Sequence, residues 1–338
     1  MYTTVWMFQT ELEFVRWLQA LTLKKTPNLK LGIGDDAALV AASRNRDLIL
    51  TADLSIEGVH FNRRLHPARS VGHRALARSL SDIAAMGGIP RFALLSVAFP
   101  RATTREWLEE FFAGLLRLAR RFRVDVIGGD TALVPHSGMM DVTVVGEVPR
   151  GKALRRSGAR PGDQIFTSGC LGRSALGLEI LKSRAVGRGR VAKPAREARG
   201  IAASVKAHLY PEPRVELGNF LQRTRLASAL MDISDGLSTD LTRLCEASGV
   251  GAEIHAEQVP GPEGSKPAKS LDLALHGGED YELLFTVPAK KAAQLPGSFQ
   301  GIPLRRIGQI KRSGDLILIH QDGASTPLTA AGYDHFSK

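Results

Sequence analysis

Five short acidic turns punctuate this chain between Asp35 and Asp280, each closing or following an apolar run: GIGDDAAL (32–39), LILTAD (48–53), VIGGD (126–130), LMDISDG (230–236) and HGGEDYELLF (276–285). Asp82, in LARSLSDIAAMGG, adds a sixth position. Carboxylates parked where strands or helices end, beside glycines that let a ligand approach the backbone, suit a polynuclear Mg²⁺ site built around phosphates. No P-loop pattern G-x-x-x-x-G-K-[ST] occurs. The pattern points to phosphoryl transfer with the nucleotide gripped mainly through metals.

Between the turns, strand-like and helix-like segments alternate. Leu12, Val15, Leu18 and Leu21 stand near helical spacing and predict a helix from about Thr10 through Leu23. DLILTAD (47–53), FALLSVAF (92–99), VDVIGG (124–129) and MDVTVVGEV (140–148) read as strands. PARSVGHRALARSLSDIAAM (67–86) reads as a helix opened by proline and stopped by Gly87-Gly88, and TREWLEEFFAGLLRLARRF (104–122) as a strongly amphipathic one. The Gly/Pro-rich connection PRGKALRRSGARPGD (149–163) sets the expected domains at 1–150 and 151–338.

Beyond it, QIFTSG, SALMDI, GAEIHA, YELLFTV, RRIGQI and LILI read as strands. LGRSALGLEILKS, PEPRVELGNFLQR and GLSTDLTRLCEASG read as helices, and the 182–200 stretch as basic and low in order. Both halves are therefore α/β.

A length of 338 residues accommodates two cores, and 43% hydrophobic with 23% charged residues is ordinary for a globular protein. The apolar runs are too short to span a bilayer, and MYTTVWMFQTELEF lacks the regions of a signal peptide. Cys170 and Cys245 form neither a disulfide framework nor a zinc spacing, which fits the cytoplasm. The formal charge of +11 invites a nucleic-acid reading. The arginines are diffuse, however, and no basic stripe is interleaved with aromatics. A solvated basic surface is expected, with no nucleic-acid partner.

Each acidic turn has a plainer reading beside the functional one. Adjacent Asp35 and Asp36 can ligate metal or form a solvated turn. Asp53 closes a strand, and His60 in GVHF is either a donor to an anion or a loop histidine bonded locally. Asp82 sits in the last two turns of a helix, where a carboxylate opposes the macrodipole and nearby cations would remove the conflict. In VIGGD, glycine N–H groups can meet phosphate while Asp130 binds its metal. Ser234 or Asp235 can serve as a helix N-cap, which leaves Asp232 unexplained. HGGEDYEL repeats the design with Glu279 and Asp280. No pattern of nearby basic partners points to mutual salt bridges.

In order and spacing, GIGDDAAL, TADLSIEGVHF, ALARSLSDIAAMGG, VIGGDT, GKALRRSGARPGD, LMDISDGLSTDL, ALHGGEDYELLFTV and GYDHF (332–336) resemble thiamine-monophosphate kinase. That family belongs to the aminoimidazole-ribonucleotide synthetase-like superfamily, and the resemblance covers nearly the whole chain. It implies a two-domain α/β (α+β) protein. The N-terminal domain would bind ATP and Mg²⁺ and pair its four-stranded sheet across a homodimer axis. The C-terminal domain would close over the nucleotide cleft. The implied reaction converts ATP and thiamine monophosphate to thiamine diphosphate and ADP with Mg²⁺, K⁺ being an auxiliary ion.

By the same resemblance, Asp36, Thr51, Asp53, Asp82, Asp130, Asp232 and Asp235 are the implied metal ligands. Gly129, Asp130, Arg156 and Ser234 would contact ATP, and His60, Glu279 and Tyr333 would contact thiamine monophosphate. Arg156 matches phosphate oxygens as a fork. Asp82, Asp130 and Arg156 are the residues expected to carry catalysis, by in-line transfer without a general base. Two departures stand out: Thr51-Ala52-Asp53 lacks a second hydroxyl, and Ala132-Leu133-Val134 replaces the family's Thr-Arg-Gly. The alternatives are a sister ATP-dependent synthetase of the same fold and a non-catalytic nucleotide- or thiamine-binding regulator.

Overall fold

The computed structural model describes residues 11–22, 28–31, 33, 39–186, 195–312 and 314–333. The chain forms two compact units, Met1–Ile83 with Ile89–Gly151 and Ala84–Gly88 with Lys152–Lys338. The first contains α1 (Glu11–Leu21), the short pair β1 (Leu29–Leu31) and β2 (Leu39–Val40), β3 (Arg46–Ile56), α2 (Ala68–Ala85), β4 (Ile89–Pro100), α3 (Arg105–Phe122), β5 (Asp125–Val134) and β6 (Met139–Pro149). Its main sheet has the order β3-β6-β4-β5. The β4–β5 pair is parallel and the other two pairs are antiparallel.

Helix α3 shows how sequence sets an element's ends. The Thr104 hydroxyl accepts the Trp107 N–H at 3.3 Å, and Arg123 turns left-handed at φ 56° to stop the helix. Between these ends Leu108, Phe111, Phe112, Leu115 and Leu118 form one buried stripe. Helices α2 and α3 meet at two glycines. A Cβ on Gly72 would lie 1.9 Å from the Phe111 carbonyl oxygen, and one on Gly114 would lie 1.9 Å from that of Arg69.

Helix α2 covers one face of the sheet. The Ser79 hydroxyl donates to the Val142 carbonyl at 2.7 Å, and Ile83 packs where Gly146 leaves room. Strand alternation then sends Leu48, Leu50 and Leu54 to the other face, where they are 53%, 69% and 45% exposed. Leu94 and Met139 are exposed as well.

The second unit contains β7 (Gln164–Ser168), α4 (Arg173–Ala185), α5 (Ala195–Leu209), α6 (Val215–Thr224), β8 (Ala229–Ile233), α7 (Leu237–Ser248) and β9 (Gly251–His255). It continues through α8 (Pro267–His276), β10 (Glu282–Val287), α9 (Ala289–Ala292), β11 (Ser298–Phe299), β12 (Ile302–Lys311), β13 (Leu316–Ile319) and β14 (Ser325–Pro327). The sheet order is β14-β13-β9-β12-β7-β10-β8, with β11 on β12. Only β13–β9 is parallel among the described pairs. Every residue of β7, β8 and β10 is buried, which explains why these strands lack the alternation of a half-exposed strand. Ile165, Met231, Ile233, Leu241, Leu244, Ile254, Leu284 and Ile307 belong to its core.

One expectation is corrected here. The basic 182–200 stretch is not low in order throughout: α4 runs on to Ala185 and α5 begins at Ala195, with residues 187–194 lying outside the described set. Packing rather than charge decides it. Helix α5 buries Ser204 and His208, and its Ser204 carbonyl would lie 2.2 Å from a Cβ on Gly177 of α4.

Candidate functional site

In the first unit, β3 and α2 together hold a carboxylate pair. Thr51 and Asp53, two residues apart on β3, share the face that α2 covers. The Thr51 hydroxyl donates to Asp82 in a very short hydrogen bond. Arg78, one turn before Asp82, places its Nε 3.9 Å from Asp53 Oδ1, so an ion pair that sequence reasoning did not expect is present. Burial raises the Asp53 pKa; Arg78 and a Ser79 hydrogen bond oppose the shift, and Asp141 adds to it. Its Oδ2 is buried with no hydrogen-bond partner among the described residues.

His60 lies on the loop after β3. The Ile56 N–H donates to its Nδ1 at 3.0 Å, which puts the proton of a neutral ring on Nε2. The ring lines a small cavity with Ser55, Phe61, Val71, Arg74, Ala75 and Arg78.

Asp130 stands apart from this group. The register forms one row Asp53–Val142–Leu95–Gly129 and a second row Leu54–Asp141–Ser96–Asp130. Asp53 and Asp130 therefore sit on opposite edge strands and on opposite sheet faces, three strand spacings or ~14 Å apart. Asp130 is exposed, its Oδ1 accepting the Thr131 N–H at 2.8 Å. Gly129 before it has φ 152°, and a Cβ there would lie 1.9 Å from the Leu95 carbonyl oxygen. Only glycine fits. Asp36 lies outside the described residues.

In the second unit, three distant motifs close on one turn. Asp232 is buried at the end of β8, and Ser234-Asp235-Gly236 leads into α7. The Glu279 N–H donates to the Ser234 carbonyl at 2.7 Å and the Tyr281 N–H to that of Ile233 at 2.9 Å. From the C-terminal side, the Tyr333 N–H donates to the Asp235 carbonyl at 3.0 Å. Glu279 and Tyr281 hold φ 66° and 53°, left-handed values that cost a non-glycine residue about 1–2 kcal/mol each. Arg156 is exposed; its carbonyl accepts the Ser248 hydroxyl at 2.9 Å, and that of Arg155 accepts the Leu230 N–H at 2.9 Å beside β8.

One plainer reading and two parts of the functional one are corrected by this geometry. Neither Ser234 nor Asp235 caps α7; Gly236 holds that position without a side-chain bond. Instead Asp240 reaches back from the first turn, its Oδ2 accepting the N–H groups of Ser234, Asp235 and Gly236 at 3.0, 3.0 and 3.2 Å. Burial pushes its carboxyl up to about 6 despite those bonds. Asp235 is itself paired with Arg243, which also reaches Asp240 Oδ1 at 2.9 Å. Asp280 does not repeat the metal-ligand design. It caps α4, accepting from Gly172 and Ser174 N–H at 2.5 and 3.0 Å, and burial lifts its pKa to about 7.

Arg78, Asp240, Arg243 and, with its Nδ1 3.8 Å from Glu279 Oε2, His208 stand against the candidate residues, and sequence reasoning named none of them. Asp240 carried a usable signal, an acid in the first helical turn after Asp-Gly. The others are brought in by packing alone.

Among the described residues no three acidic, histidine or cysteine side chains close into a metal cage. The donors available are hard oxygens, a few in each place, with one buried carboxylate oxygen left over at Asp53. That set fits Mg²⁺, which keeps several waters and takes phosphate oxygens for its remaining ligands. It does not resemble a closed Cys/His site.

Residues 34–148 match the N-terminal domain, and residues 160–321 the C-terminal domain, of the AIR synthase related proteins. The thiamine-monophosphate kinase of Escherichia coli K12 is 38% identical over 316 residues, 92% of this chain and 93% of that protein. The crystal structure of thiamine-monophosphate kinase from Stenotrophomonas maltophilia K279a superposes with a TM-score of 0.80 at 35% identity, covering 92% of this chain and 96% of that one. The structure of AaThiL complexed with AMPPCP and TMP gives 0.73 at 31% identity, with 96% and 97% covered. With likeness running through both halves and nearly the full length of its relatives, the chain belongs to the thiamine-monophosphate kinase family.

Proposed function

We infer that this protein transfers the terminal phosphoryl group of ATP to the phosphate of thiamine monophosphate, giving thiamine diphosphate and ADP. A relative complexed with both AMPPCP and TMP supports a direct transfer between two bound ligands. The observation in this structure that carries the reading is the docking of Glu279 and Tyr333 on the Ser234–Asp235 turn. Proposed substrate contacts and proposed nucleotide and metal contacts thereby share one mount.

The accepting phosphate oxygen is ionised near neutral pH, so no general base is needed. Catalysis rests on alignment and on charge neutralisation. Bound Mg²⁺, in several copies and with K⁺ as an auxiliary ion, supplies neutralisation of the phosphates. Thr51, Asp53 and Asp82, with Asp36, Asp130, Asp232 and Asp235, hold those ions. Gly129, Asp130, Arg156 and Ser234 hold the nucleotide. His60, Glu279 and Tyr333 hold thiamine monophosphate, Glu279 toward its cationic or amino-bearing part and Tyr333 by stacking. Asp82, Asp130 and Arg156 carry the catalytic load.

We further propose a homodimer joined by the N-terminal sheets, with residues 1–150 as the ATP- and Mg²⁺-binding domain and 151–338 as the domain that completes the substrate contacts. The open sheet face with Leu48, Leu50, Leu54, Leu94 and Met139 supports the pairing, because an apolar patch of this kind favours burial. Both cysteines are free, which suits a cytoplasmic protein, and among the described residues no helix is long and apolar enough to cross a membrane.

The deciding experiment mixes purified protein with thiamine monophosphate, ATP and Mg²⁺ and separates products by chromatography, with and without EDTA. Thiamine diphosphate that disappears with EDTA is the expected result. Its absence while ATP still binds would shift the assignment to a sister synthetase or a regulator.

A further inference from the structure

We propose that His208 is a positioning residue for Glu279. The inference rests on the reading of Glu279 as a contact to thiamine monophosphate. His208 is 1% exposed on α5, a helix that sequence reasoning left out. Its Nδ1 lies 2.9 Å from the Ser174 hydroxyl oxygen on α4 and 3.8 Å from Glu279 Oε2. The ring is hydrogen-bonded to the Ser174 hydroxyl and stands too far from Glu279 to bond it directly, but close enough to act on its carboxylate electrostatically.

Helix α4 sets the place of His208 through Gly177 and Ser174. Gly177 lets α5 close on α4, where a Cβ would meet His208 Cβ at 2.9 Å. Ser174 is fully buried, and its N–H donates to Asp280 Oδ1 at 3.0 Å. The same serine therefore ties the neighbour of Glu279 to α4 through its main chain and His208 to α4 through its side chain. Glu279 and Tyr281 both stand at positive φ, a conformation that persists only where the surroundings over-determine it. The main-chain bonds to Ser234 and Ile233 hold the backbone, and His208 stands beside the carboxylate itself. A carboxylate meeting a cationic ligand must be aimed, and free rotation would cost binding of that ligand alone.

The test measures KM and kcat for each substrate with His208→Leu, His208→Asn, Glu279→Ala and the pair His208→Leu/Glu279→Ala. Asparagine keeps a donor near the Nδ1 position. We expect His208→Leu to raise KM for thiamine monophosphate about tenfold, with KM for ATP within about twofold. His208→Asn restores most of the loss, and the effect of His208→Leu vanishes in the Glu279→Ala background. Equal effects in both backgrounds, or equal shifts in both KM values, would reduce His208 to a packing residue and overturn the proposal. If Glu279→Ala raises KM while His208→Leu is silent, this inference alone fails. If Glu279→Ala leaves KM unchanged, the substrate reading fails and takes this one with it. Should His208→Leu not fold, Ser174→Ala carries the same test with the same expected split.

Discussion

Replacing Asp53 by asparagine should make the protein more stable and nearly inactive at once. The wild-type side chain has one buried oxygen with no hydrogen bond, a nearby like charge in Asp141, and a raised pKa whose main cause is burial. An unsatisfied buried acceptor of this kind costs about 1–3 kcal/mol, more when charged. Against this stands the Arg78 contact at 3.9 Å, a partly exposed pair worth about 0–1 kcal/mol. The amide removes the charge, and with it the repulsion from Asp141, while keeping the shape of the side chain. The balance favours the variant by about 1 kcal/mol, or roughly 2–4 °C in Tm for a domain of this size.

Activity should fall by about two orders of magnitude or more, as expected when a preorganised charge-neutralising contact is lost. The assay is thermal unfolding with and without Mg²⁺, run beside product formation. Mg²⁺ should raise the wild-type Tm and leave that of the variant nearly still, since a ligand stabilises only the state it binds. A variant less stable than wild type without metal, with turnover preserved, would refute both the energetic argument and the ligand assignment.

Gly129→Ala should destabilise by about 2–4 kcal/mol in denaturant unfolding, because its Cβ meets the Leu95 carbonyl at 1.9 Å and its φ is 152°; a loss under about 0.5 kcal/mol would contradict the strand packing. Leu50→Glu should yield monomers by light scattering if the open sheet face joins two copies, since this leucine is 69% exposed there; an unchanged mass would remove that face from the interface. Asp280 binds its proton more tightly in the folded chain, with a pKa raised to about 7 by burial, than at its ordinary 3.8. Its contribution to stability is therefore full below about pH 4 and is lost as pH rises through about 7. Asp280→Asn should flatten that slope in unfolding midpoints taken from pH 4 to 8, and an unchanged slope would assign it to another group.

Regular elements were legible wherever one face met water. Helix α3 announced itself through a capping threonine and a stripe from Leu108 to Leu118. The strand at 281–287 was legible from its central Leu-Leu-Phe because every residue of β10 is buried, and that at 92–99 from an apolar run that continues through Leu94 on the open face. Helix α5 was not, because its start falls in the basic 182–200 run while the residues that anchor it, Ser204 and His208, look unremarkable outside their contact with α4. The acidic turns were legible as positions but not as partners. Arg78 lies four residues from Asp82 and Arg243 eight from Asp235, yet which arginine turns toward which carboxylate is decided by helix facing and sheet register. Asp280 shows the opposite case, since the HGGEDYEL turn read as a repeat of the acidic design and its Asp280 serves as a helix cap.

Glu279 and Tyr333 both reach their turn through peptide N–H groups. A peptide hydrogen bond is blind to which residue carries it. The scaffold can therefore keep the two stations in place while the groups displayed on them are exchanged. Families built this way can drift in what they recognise without first relearning how to fold.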